Sequence, residues 1–171
     1  MTPSFEGLNH QILRSNVFHL AYISKASHPM TRHELVNLLA KAKGKNERNG
    51  ITGLLLHKNG RFVQVLEGEE DVVRPLFDVI SQDKRHTEVT ILIEESIAER
   101  QFVDWSMGFH DLDASDILGL YGNSKPLGKS LDIEGFKENP GACLTLLQFV
   151  RDLHLTRTTD KSRPPSEPSL P

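Results

Sequence analysis

Alternation of apolar and polar positions marks the first regular element. In VFHLAYIS (Val17 to Ser24), Phe18, Leu20, Tyr22 and Ser24 share one face of a strand, and Val17, His19, Ala21 and Ile23 share the other. The period then changes. Thr31 followed three residues on by Glu34 is a capping box, and Leu35, Leu38, Leu39 and Ala42 recur at helical spacing, with Gly44 weakening the helix and Gly50 ending it. ITGLLLHKNGRFVQVLEG reads as two strands joined by Lys58-Asn59-Gly60, a hairpin signal. Glu69, Glu70 and Asp71 open a second helix where its dipole favours negative charge, and Val72, Val73, Leu76, Val79 and Ile80 form its stripe. Pro75 is tolerable only near that helix's first turn. TEVTILIEES is a fourth strand and RQFVDWSMGFH a fifth, with Val103, Trp105, Met107 and Phe109 on one face.

The order strand, helix, strand, strand, helix, strand, strand predicts an α+β, ferredoxin-like fold: a five-stranded mixed sheet with two helices on one face. NPGACLTLLQFVRDLH begins a further helix cleanly, with Asn139 as cap and Pro140 at the first helical position. Its apolar residues go most of the way round, so it must pack on something, and the other face of the sheet is the candidate. The expected division is an N-terminal arm over 1–16, a main domain over 17–112, a C-terminal helical cap over 113–155, and a proline-rich disordered tail over 156–171.

Composition narrows the class. The chain has 171 residues, 37% hydrophobic and 25% charged, enough for one domain with a real core. A net charge of −3 argues against nucleic-acid binding through bulk electrostatics. A single cysteine, Cys143, excludes an internal disulfide and fits a reducing compartment. No apolar run reaches membrane-spanning length, and the first residues lack the pattern of a secretory signal, so the expectation is a cytoplasmic protein without membrane contact.

Chemistry is sparse. His28 and His33 in HPMTRH lack a third ligand at suitable spacing, so no metal site is expected. Asp83, Arg85 and His86 in DKRH read either as a polar turn or as an acid–base cluster. Tyr22, Asn46 and Gln64 are different. Tyr22 and Gln64 share strand faces with apolar residues, and Asn46 extends the stripe of the first helix if that helix continues past Gly44. All three uncharged hydrogen-bonding groups then point into one helix-covered space.

Taken together, AYISKAS, NERNGITGLLLHKNGRFVQVLEG, ISQDKRHTEV and FVDWSMGF closely resemble the BLUF family, blue-light sensors that use flavin, over about residues 17–110. The resemblance implies a noncovalently held FAD between the two helices, with FMN or riboflavin able to occupy the same slot. It implies Tyr22 as photochemical electron and proton donor and Gln64 as its hydrogen-bond partner, whose rearrangement gives a small red shift. Asn46 would hold one edge of the ring and Arg85 the opposite carbonyl, with Asp83 and His86 shaping that end. Ser24 would lie near Tyr22 and Gln64, and Leu38, Phe62 and Ile80 would make apolar contacts with the cofactor. Trp105 and Met107 match the fifth-strand pair that passes the signal onward.

The resulting expectation is a short photoreceptor without an attached catalytic domain. It would act through a separate signalling protein, such as a cyclic-dinucleotide enzyme or transcription regulator, or through a change of homo-oligomer. The competing readings are an acylphosphatase-like hydrolase using Arg85, His86 and Asp83, and a ferredoxin-like adaptor without photochemistry.

Overall fold

The structure, a computed structural model, describes residues 16–103, 107–113, 131 and 133–160, those from 154 onward by backbone alone. In chain order the elements are β1 (Val17–Ala26), α1 (Arg32–Arg48), β2 (Thr52–Lys58), β3 (Arg61–Gly68), α2 (Glu70–Ser81), β4 (His86–Ile97), β5 (Gly108–Asp111), α3 (Ile133–Glu138) and α4 (Pro140–Asp160). The sheet order is β4-β1-β3-β2-β5. Only the β2–β5 pair is parallel, so the sheet is mixed, as the α+β expectation requires.

Local chemistry fixes several boundaries. The capping box forms as expected: the Glu34 N–H donates to Thr31 Oγ1, and the Thr31 N–H donates to the Glu34 carboxylate at 2.8 Å. Helix α1 runs straight through Gly44, which carries Asn46 into the interior at 2% exposure. Asn59 and Gly60 both adopt positive φ, 48° and 71°, the left-handed pair that a two-residue hairpin turn demands. Pro75 lies inside α2, beyond the first turn, where the sequence reading would not have allowed it. The hydrogen bond it forfeits is to the carbonyl of exposed Asp71, a position that water can reach.

Two cores use the two faces of the sheet. On one, Phe18, Leu20 and Tyr22 of β1, Leu55 of β2, and Phe62 and Leu66 of β3 pack under Leu35 of α1 and Val73 of α2. On the other, Ala21, Ile23, Leu54, Leu56, Val63 and Val65 pack against Phe136 of α3 and Cys143, Leu146, Leu147 and Val150 of α4. The C-terminal helix therefore does cover the second face.

Three expectations need correction. The fifth strand begins at Gly108, and Val103 is 65% exposed while Phe102 is buried. The carboxylate of Glu67 accepts the N–H groups of Gln101 and Phe102, at 3.0 Å for each, so these groups are unavailable for a strand ladder. Helix α4 continues past Thr156 to Asp160, since no proline interrupts the chain before Pro164. The six-residue α3 was not foreseen. Most of the N-terminal arm and the end of the tail lie outside the described residues, as does Trp105.

Candidate functional site

Strand register assembles the floor of the site. Gln64 stands directly opposite Tyr22 on one side and Leu55 on the other, and Leu55 stands opposite Phe109. Directly opposed residues share a face, so these four side chains form one row beneath the two helices. Above the row, Leu38, Ala42 and Asn46 recur every four residues on α1, and Leu76 and Ile80 do so on α2. Between them is a cleft of about 190 Å³, lined by Tyr22, Gln64 and Asn46, by Leu38 and Ile80, and at one end by Asp83, Arg85 and His86.

The floor is a hydrogen-bonded chain. The Tyr22 hydroxyl donates to Gln64 Oε1, and Gln64 Nε2 donates to Met107 Sδ at 3.1 Å. Tyr22 is fully buried, Gln64 is 6% exposed and Met107 is 7% exposed. The Phe77 ring packs edge-to-face with the Tyr22 ring, 5.2 Å between centres, and helps hold the phenol in place. Burial, and secondarily the negative charge of Asp83, push the Tyr22 phenol well above its ordinary pKa, so it stays protonated and serves as donor.

Different polar groups flank the cleft's apolar walls. At one end Asn46 offers a neutral amide, and the N–H groups of Asn49 and Ile51 fix its backbone by donating to its carbonyl. At the other, Arg85 Nε donates to both carboxylate oxygens of Asp83, each at 3.0 Å, in the turn before β4. Hydrogen bonds from Arg85 hold the Asp83 carboxyl down at about 2. His86 is lowered by burial, against a pull from Asp83. An apolar slot with an amide at one edge and a guanidinium at the other suits a flat aromatic ring with polar carbonyl edges, which is the shape of a flavin.

Ser24, Phe62 and Met107 do not line the cleft. Ser24 Oγ lies 2.9 Å from His86 Nδ1, and the Phe62 ring packs against the His86 ring at 5.0 Å, so both act behind His86. Met107 meets the cleft only through Gln64. Sequence reasoning assigned no contact to Lys45, which the structure puts at the cleft wall, and did not name Leu39, Lys41, Ala42, Leu55, Leu76 or Val79 as lining residues. Leu39 and Val79 belonged to recognised apolar stripes, which was the signal for them.

His28 and His33 do not converge on each other; His28 Nε2 lies 3.4 Å from Glu34 and His33 Nδ1 lies 3.2 Å from Asn37. A grouping missed in sequence is His57 with Asp111 and Asp113, at 3.2 and 3.8 Å. Its carboxylates already accept the N–H groups of Asn59 and Asp113, and among the described residues buried His57 Nε2 has no acceptor of the kind that orients a metal-bound imidazole. It ties β2 to β5.

Fold and cleft define a ferredoxin-like ligand-binding domain in which a tyrosine–glutamine pair forms the floor of the ligand slot. The profile of the family described as BLUF, sensors of blue-light using FAD, matches residues 17–108. The chain belongs to this family. The beta subunit of the photoactivated adenylate cyclase of Euglena gracilis is 44% identical over 89 residues, which is 52% of this chain and 10% of that protein. Among solved structures, the dark state of the BLUF protein BlrB gives a TM-score of 0.56 at 31% identity, covering 66% of this chain and 89% of that one. The photo-activated state of BlsA gives 0.61 at 29% identity, covering 77% and 94%. The chain thus spans about a tenth of the length of the curated relatives it matches. Among the described residues no helix is long and apolar enough to cross a membrane.

Proposed function

We propose that the protein is a blue-light photoreceptor whose switch is the Tyr22–Gln64–Met107 chain. The observation that carries this reading is the buried Tyr22 hydroxyl donating to Gln64 Oε1 on the floor of the cleft, with the other end of the same amide on Met107 Sδ. Leu38 and Ile80 would sandwich the flavin, with Asn46 and Arg85 at its two polar edges. When bound, the flavin supplies blue absorption and an excited state able to take one electron.

Tyr22 would give that electron, and its proton, made far more acidic by the loss, would leave along the existing hydrogen bond to Gln64; both then return to Tyr22, so the phenol is restored and only the arrangement of the amide has changed. The amide of Gln64 has a donor end and an acceptor end, so rotation or a proton shift exchanges what it presents to Tyr22, to Met107 and to the cleft. A donor newly facing the cleft gives a small red shift. The exchange of one buried hydrogen bond is worth about 1–3 kcal/mol, enough to bias a two-state element roughly 5- to 150-fold. Met107 and Trp105 then carry the change through β5 towards α4.

The output passes to a signalling partner, for which a cyclic-dinucleotide enzyme or a transcription regulator is the working class, or to a change of oligomer. The purified protein is expected to be yellow and to shift reversibly to the red in blue light. Tyr22→Phe and Gln64→Leu are each expected to stay yellow and lose the shift; a normal shift in either sinks the mechanism. A colourless protein that hydrolyses acyl phosphates would favour the hydrolase reading of Asp83, Arg85 and His86.

A further inference from the structure

The second face of the sheet carries a polar cluster that the light reaction does not use. His19, Glu67 and Thr52 stand opposite one another on β1, β3 and β2, all on the α4 side. Glu67 is fully buried and three residues from Gln64 on the same strand. Its carboxylate lies 3.1 Å from His19 Nδ1, and it accepts from Thr52 Oγ1 and from the N–H groups of Gln101 and Phe102. A buried carboxylate with this many donors is an expensive arrangement to disturb.

The segment that Glu67 holds is gripped from the opposite side by α4. The carbonyl of Gln101 accepts from Arg151 at 2.7 Å, and its side-chain oxygen accepts from Gln148 Nε2 at 2.8 Å. The Arg151 guanidinium also lies 5.4 Å from the centre of the Phe102 ring. Gln101 is therefore joined to the sheet through its N–H and to the helix through its C=O. Next to it, Arg100 donates to the Glu67 carbonyl, to Thr52 Oγ1 and to the Gly50 carbonyl, four residues beyond Asn46. One short stretch thus touches the strand of Gln64, the exit from the helix of Asn46, and α4, and it lies five residues before Met107.

We infer that Glu67 and residues Arg100–Phe102 form a clasp that couples the photoactive strand to α4, with Glu67 as its positioning residue. The inference rests on the photoreceptor reading above and names its route of output. Gln64 and Glu67 share β3, so a rearrangement at Gln64 that moves this strand pulls through the Glu67 carboxylate on Gln101 and Phe102, and the load falls on the bonds from Gln148 and Arg151. Coupling is reciprocal, so the clasp also biases the balance between the dark and lit arrangements, and dark recovery is where a change in that bias is read.

Replacement of Glu67 itself endangers the fold, so the test is made at the other end of the clasp. In the full flavin-loaded chain, hydrogen exchange of the amides from Leu144 to Val150 is measured in darkness and under blue light, alongside the red shift, its dark recovery and the melting temperature. For the wild type, light is expected to raise exchange in that stretch. The double variant Gln148→Ala/Arg151→Ala is expected to keep the full red shift, to exchange in darkness as the wild type does in light, and to change its recovery rate roughly 2- to 10-fold, the range of one or two hydrogen bonds. A double variant with a lowered melting temperature but wild-type recovery and a wild-type light response in α4 would reduce the clasp to a structural tie and overturn the inference, while the red shift keeps the site reading intact. Absence of a red shift in the wild type overturns both.

Discussion

Three uncharged polar side chains on otherwise apolar faces mark one shared space, and the family resemblance gives that space its expected role. Tyr22, Asn46 and Gln64 stand out because strand alternation and helical spacing assign them inward positions, and the structure buries all three. Glu67 sits in the same motif and was passed over. Its partners at Gln101 and Phe102 are 34 and 35 residues away and are backbone groups, so no side-chain pattern announces them. His86 allows a test of the cleft's electrostatics. Burial lowers its pKa in the folded protein, so the folded state binds this proton less readily than the unfolded chain. Stability is therefore whole above the unfolded value, about 6.5, and declines as pH falls below it. Chemical denaturation between pH 7 and pH 5 is expected to show this decline, and His86→Gln to make it shallower; equal slopes would remove His86 from the account.

At the scale of elements, local signals placed the starts of helices better than the ends of strands. The Thr31 capping box and the Asn59-Gly60 turn are contained within four residues, so sequence alone reveals them. The start of β5 depends on a distant carboxylate capturing two N–H groups, and the continuation of α4 to Asp160 depends on where the next proline falls. The cap also gives a control on the site. Thr31 is exposed and does not line the cleft. Thr31→Ala should cost about 1 kcal/mol of stability through the lost cap, read as a lower denaturation midpoint. Its absorption spectrum and red shift should match the wild type, since α1 carries Leu38 and Asn46 well beyond the first turn.

For the molecule as a whole, Cys143 is a built-in reporter. It is fully buried between α4 and the sheet, and burial pushes its thiol pKa up to about 12, so the folded protein holds an unreactive thiol. If light loosens α4, thiol labelling of the flavin-loaded protein should be faster under blue light than in darkness, and Gln64→Leu should abolish the difference. Equal rates in the wild type would place the output elsewhere. The division of the sheet between two cores has a wider consequence. Alternate residues of one strand serve separate interiors, so substitutions that re-fit the α4 side leave the residues that line the Tyr22 side in place. The same sensor can thereby acquire new effectors by mutating only its reverse surface, an economy that favours reuse across otherwise dissimilar proteins.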